Sequence, residues 1–181
     1  PNHWVLGSTI GVGVDSRDHI FIIHRGDSTL NQRTEVGADA KPPLGECCRS
    51  APPILEFDPD GNLVKAWGGP GEGYTWPGSN HGITIDDKDN VWIGGNGDHD
   101  SHIIKFSHDG TPLLALGEPR VGGWDATHFN QPTDIAIRPD GTFYVSDGYV
   151  NSRVALFDRN GKEIGEWGKK GAGPSEFSNP H

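Results

Sequence analysis

The chain has 181 residues, 33% of them hydrophobic, with 27 Gly and 14 Pro, so its apolar segments are short and broken by many turns, as in an all-β protein. With 15 Lys+Arg against 25 Asp+Glu, a formal charge of -10, it has no basic stripe to neutralise a phosphate backbone, which argues against nucleic acid as a partner. No apolar run approaches the roughly 20 residues of a membrane span, and the longest clusters, such as Ile20 to Ile23, are strand-length.

The first unit opens with GVGVD (Gly11 to Asp15), which alternates apolar with small residues, the period-two pattern of a half-buried strand. The turn SRDH leads to a second strand, HIFIIHRG, from His19. An insertion over residues 27–53, polar and rich in Gly and Pro, then precedes ILEFDPDG and LVKAWG, the third and fourth strands, which end at Gly68. A loop of that length on a regular scaffold is expected to be functional or to form an interface. It carries Cys47 and Cys48; neighbours in extended chain point apart, so a pair of thiols or a link to another chain is expected rather than a mutual bridge. A metal-binding cysteine pair would need a spacer of about two residues.

The second unit repeats the pattern as GITID (Gly82 to Asp86), NVWIGGNG, HIIKFSHDG and PLLALG, and the third as DIAIR (Asp134 to Arg138), TFYVSDGY, RVALFDRNG and EIGEWG. Phe57, Phe106 and Phe157 each lie four residues before a turn glycine (Gly61, Gly110, Gly161), and Gly68, Gly117 and Gly168 each lie seven beyond it. Asp-Gly and Asn-Gly supply the positive φ of a tight hairpin. A sandwich has no reason to repeat turn chemistry and strand-end glycine in register, whereas propeller blades do. The expected architecture is an all-β propeller of four-stranded antiparallel blades. Three blades, half of a six-bladed ring, are expected in one partial domain over 1–181. Blade one covers 8–68, blade two 81–117 and blade three 132–168, with residues 169–181 a crossover to a further blade. A chain that starts at Pro1 and has no Met is read as a mature form or a fragment, already without any signal peptide, and is expected to be secreted, periplasmic or extracellular. A half ring leaves a blade face open at each end and is expected to be completed by more chain, a second copy or stacking.

The junction Asn80-His81-Gly82 before ITID resembles the NHL repeat of propellers. The run Phe129 to Gly168, the terminal FSNPH, VGVDSRDHIFIIHRGD in blade one and NHGITID in blade two resemble the peptidylglycine amidating lyases, which cleave peptidyl-α-hydroxyglycine to a peptide amide and glyoxylate. The match is weakest in the insertion and around Asp98. The resemblance implies a zinc held by His81 and His181, with a third histidine from a later blade that is not in this chain. It implies a calcium held partly by the backbone oxygens of Val12 and Ile83, and a peptide-like substrate. Arg25 of the HRG motif is implied in substrate binding or charge stabilisation, and Tyr149 of SDGY acts near the zinc. Arg153 is a further candidate for substrate binding, or pairs with an acidic loop, and His24 is a secondary candidate. Where vertebrate members of that family pair two cysteines, this chain has Asn130 and Val150.

Register places Ile10, His81, Thr133 and His181 at equivalent blade starts, so histidine falls at alternate blades. In a six-bladed ring alternate blades lie about 120° apart around the axis, and their inner-strand residues converge there with a position left open, as at a catalytic zinc. Alternatively, such histidines bond backbone and lock blade junctions, and the chain is a non-catalytic binding or assembly module. Asp98, His99, Asp100 and His102 have metal-ligand types at close spacing but read better as a solvated turn. Trp67, Trp76, Trp124 and Trp167 read as blade-edge packing.

Overall fold

The structure, a computed structural model, describes residues 3–30 and 47–181; most of the expected insertion lies outside the described residues. Twelve strands form three four-stranded antiparallel sheets in chain order. The first contains β2 (Thr9–Val14), β3 (Ile20–His24), β5 (Ile54–Phe57) and β6 (Leu63–Trp67). The second contains β7 (Asn80–Ile85), β8 (Val91–Gly95), β9 (Ile103–Phe106) and β10 (Pro112–Leu116). The third contains β11 (Pro132–Ile137), β12 (Phe143–Asp147), β13 (Arg153–Phe157) and β14 (Glu163–Trp167). A small parallel pair, β1 (Trp4–Val5) with β4 (Arg49–Ser50), has no counterpart in the repeat pattern.

The repeated glycines have distinct causes. Gly61, Gly110 and Gly161 sit at positive φ in the hairpins. The strand-end glycines also have positive φ, and each is overlain by an aromatic of its crossover: a Cβ would lie 2.7 Å from Trp76 at Gly68, 2.8 Å from Phe129 at Gly117 and 2.4 Å from Phe177 at Gly168. The crossover therefore packs onto a surface that a side chain would fill.

The inner strand β7 lies between β2 and β11, so the sheets fan about one edge. Phe21, Ile23, Ile54, Ile83, Val91, Ile93, Ile104 and Phe106 fill the space between sheets one and two. Trp92, Ile103, Phe129, Ile135, Phe143, Val145, Ala155 and Phe157 fill that between sheets two and three. On the far side of sheet one Val12, Val14 and Ile20 are exposed, and on the far side of sheet three so is Trp167.

Candidate active site

Each inner strand slips its pairing by one residue at its start: between Thr9 and Gly11, between His81 and Ile83, and between Pro132 and Asp134. Such a bulge bends the strand and re-aims the side chains beside it. In sheet two the unpaired residue is Gly82, at φ 75°, and a Cβ there would come within 2.8 Å of the Thr133 carbonyl. Glycine therefore lets the His81 backbone approach the start of β11.

His81, Tyr149 and His181 meet there. The ring centroids are 5.4 Å apart for His81 and His181, 6.1 Å for His81 and Tyr149, and 5.2 Å for Tyr149 and His181. His81 Nδ1 lies 3.0 Å from the Thr133 carbonyl, which can only accept, so Nδ1 carries the proton and Nε2 keeps its lone pair. Burial lowers the His81 pKa; the Thr133 carbonyl opposes the shift, and Arg25 and His181 add to it. The imidazole is thus held neutral, the form a metal requires. Two imidazoles on one tetrahedral ion, with N–metal distances of about 2.0–2.1 Å, place their centroids about 5 Å apart. The 5.4 Å found for His81 and His181 fits that geometry.

Thr133, which residue type alone does not single out, links the two histidines. Its carbonyl fixes His81, and its buried hydroxyl lies 2.9 Å from the Pro180 carbonyl, beside His181, and 3.1 Å from that of Ser146. The legible signal was positional, since Thr133 occupies the blade start between those of the two histidines.

Arg25 approaches from sheet one. Its Nε lies 3.4 Å from the Asn80 carbonyl and its Nη2 3.1 Å from Asn96 Oδ1. It borders a cleft of about 730 Å³ whose lining also includes Trp4, Arg49, Trp76 and Asn80, within the size range of small-ligand sites. Cys47 and Cys48, just before β4, are bridged to each other, which corrects the expectation of free thiols or an interchain link.

Val12 and Ile83 lie on the adjacent inner strands β2 and β7, which approach each other closely at Gly11, where a Cβ would sit 3.1 Å from the Ile83 amide nitrogen. Arg153 is placed elsewhere. Its side chain is 0% exposed and binds Asp147 Oδ2 at 2.8 Å, the Asp125 and His128 carbonyls at 2.9 and 2.8 Å, and Glu166. That is a structural lock between crossover and sheet, not a group offered to a ligand. His24 is also internal: its Nδ1 accepts from the Gly7 and Gly26 amides and its Nε2 donates to the Pro52 carbonyl. The turn at Asp98 separates into parts. Asp100 is buried and caps the amides of Gly78, Ser79 and Gly97, and His102 is buried against the Thr75 carbonyl, so neither is a solvated turn residue. Trp67 and Trp76 pack on the first core, whereas Trp124 and Trp167 are substantially exposed.

Three antiparallel sheets sharing an inner edge, with ligand-type side chains at the strand starts, define a β-propeller segment, and the NHL repeat pattern matches residues 129–157. A virginiamycin B lyase from Staphylococcus aureus has the same fold, with a TM-score of 0.54 at 16% identity, covering 90% of this chain and 41% of that one. The chain carries an NHL repeat within a propeller-type fold, and its sequence is similar to the peptidyl-α-hydroxyglycine amidating lyases along nearly its whole length. It is 33% identical over 97% of its length to a peptidyl-glycine alpha-amidating monooxygenase of Mus musculus. It is 31% identical over 93% to the peptidyl-alpha-hydroxyglycine alpha-amidating lyase 1 of Drosophila melanogaster. The chain spans 18% of the mouse protein and 30% of the fly protein.

Proposed function

We propose that this chain forms part of a zinc-dependent peptidyl-α-hydroxyglycine amidating lyase of a secreted or periplasmic compartment. The observation that carries the proposal is the convergence of His81, His181 and Tyr149 on one point in a chain similar to such lyases. His81 and His181 would hold the zinc, with a third ligand from a further blade. Zinc bound there would supply a Lewis acid for the substrate's hydroxyl oxygen. Arg25, always charged, pairs with the carboxylate of the hydroxyglycine. Tyr149, in its phenolate form, would accept the hydroxyl proton and return it to the departing nitrogen. The C–O bond becomes the aldehyde of glyoxylate, the C–N bond breaks, and the departing nitrogen takes a proton to give the peptide amide. The cleft beside Arg25 receives the peptide portion. The backbone oxygens of Val12 and Ile83 would contribute to a calcium site between the first two blades. The exposed far faces of sheets one and three favour a larger assembly, from further chain or a second copy, and by themselves also suit a non-catalytic binding module.

The test compares zinc affinity and glyoxylate release from a peptidyl-α-hydroxyglycine for the native protein, His81→Ala and Tyr149→Phe. The expected result is weakened zinc binding in the first variant, and release slowed by about 10²–10⁴-fold with zinc retained in the second. A zinc stoichiometry in His81→Ala equal to that of the native protein, or unchanged release in Tyr149→Phe, overturns the reading.

A further inference from the structure

At the opposite ends of the inner strands, away from His81, a second group of ligand-type atoms converges. Asp15 follows the end of β2, Glu56 lies in β5, and His108 comes from the hairpin between β9 and β10 of the next sheet. The two carboxylate side chains are 0% and 3% exposed. His108 Nε2 lies 3.4 Å from Asp15 Oδ2 and 3.3 Å from Glu56 Oε1. Ligand atoms about 2.0–2.1 Å from one tetrahedral ion are about 3.3 Å from each other. Among the described residues, no other group of three or more His, Cys, Asp or Glu converges in this way.

Each member is held in place by its surroundings. Asp15 Oδ1 accepts the Arg17 and His19 amides at 2.9 Å each, which leaves Oδ2 for the cluster. Glu56 Oε1 lies 2.7 Å from His19 Nδ1, and the His108 ring sits edge-on to Phe21 at 5.5 Å. A cation already occupies the convergence point. Arg17 Nη2 lies 2.7 Å from Asp15 Oδ2 and 3.3 Å from Glu56 Oε1 and is also in contact with His108 Nε2, and its side chain is 51% exposed.

The repeat shows that this arrangement is not demanded by blade packing. At the equivalent positions in sheet two, Asp86 pairs one-to-one with Lys105 at 3.0 Å. Sheet three has Arg138 and Leu156 there. Only sheet one sets acid against acid, so two buried negative charges share a single half-exposed guanidinium, and a histidine of the next blade completes the set. We propose that Asp15, Glu56 and His108 bind a zinc-class divalent transition-metal ion that displaces the Arg17 guanidinium, with His19 orienting Glu56. The ion joins blade one to blade two at the rim opposite the His81 site. Two carboxylates and one imidazole, with one position left where Arg17 now reaches, suit a first-row ion.

The test is zinc titration by calorimetry on the full chain in a His81→Ala background, with the melting temperature in zinc and in chelator as a second readout. The expected result is zinc binding in that background and a melting temperature that rises with zinc. Glu56→Lys, which copies the pairing of sheet two, abolishes both responses while the metal-free protein melts as before or higher. His19→Ala weakens zinc by about 10–100-fold, as loss of an outer-shell partner does. Arg17→Gln lowers the Kd, by about fivefold if a half-exposed ion pair is all that zinc displaces. Zinc binding or zinc-dependent melting that persists in Glu56→Lys, or a Kd that does not fall in Arg17→Gln, overturns the proposal. Neither result bears on glyoxylate release, so this site and the lyase reading can fail separately.

Discussion

Arg153→Met tests whether that arginine serves the fold or a ligand. The guanidinium is fully buried and is the cationic partner of Asp147, which is itself 0% exposed. Burial raises the Asp147 pKa even though Asn130, Asn151 and Arg153 all donate to the carboxylate, so its charge is tolerated only because those donors are present. Removing one member of a buried ion pair costs about 3–5 kcal/mol. The Asp125 and His128 carbonyls also lose their donor, which places the loss toward the upper end. In a domain of this size that lowers the melting temperature by about 6–20 °C. The assay is urea and thermal unfolding of Arg153→Met beside Arg153→Met/Asp147→Asn. The double variant is expected to recover part of the loss, because the uncompensated charge is gone. A single variant within about 1 kcal/mol of the native protein but with a raised KM would refute the structural role.

Asp86 is held down to about 2 from 3.8: burial alone would raise its pKa, but hydrogen bonds from Trp92, Asn90 and Lys105 outweigh it. Because the folded value lies below the unfolded one, this stabilisation is complete above 3.8 and is lost as pH falls toward 2, a change of about 2 kcal/mol that Asp86→Asn removes from the pH dependence of unfolding. Thr133→Val removes the one hydroxyl proton that the Pro180 and Ser146 carbonyls share, at a cost of about 1–3 kcal/mol. Because valine keeps the Thr133 carbonyl on His81, the same change should weaken zinc only through the His181 segment held at Pro180, without removing a ligand, as measured by metal titration. At Gly148 a Cβ would lie 2.4 Å from the Pro180 carbonyl, so Gly148→Ala should displace the His181 segment and lower zinc affinity more than it lowers the melting temperature.

The twelve repeat strands were legible in the sequence because their alternation, hairpin glycines and strand-end glycines are local signals that tolerate little else. The β1–β4 pair was not, because each strand is two residues long and the pairing joins segments on either side of the insertion. The convergence of His81, His181 and Tyr149 could be read in part, since blade register puts the two histidines at equivalent strand starts. The bulge at Gly82 that aims His81 could not, because it is a slip in pairing rather than in composition. The sequence left Arg153 open between a ligand and an acidic partner for a related reason. An arginine at the start of a strand next to a candidate site invites a binding role, and only the three-dimensional placement of Asp147 and of two crossover carbonyls shows its fork to be filled from within. The Asp15, Glu56 and His108 group lies in three separate strands and turns of two blades, so no spacing in one segment announces it.

The two ends of the inner strands divide the chemistry of the propeller. At the starts, bulges and glycines let neighbouring backbones close in, and the side chains gathered there are an imidazole fixed by a carbonyl, a phenol and a threonine, none of them a carboxylate. At the ends, an aspartate closes each of the first two hairpins by accepting backbone amides and must find a cation for its free oxygen. Sheet two meets that demand from its own β9 with Lys105. Sheet one places Glu56 at the same point, doubling the negative charge and making the balance depend on Arg17 and on a residue of the next blade. Blade one is therefore tied to blade two electrostatically as well as through the apolar core, and the tie should respond to any cation that can displace a half-exposed guanidinium.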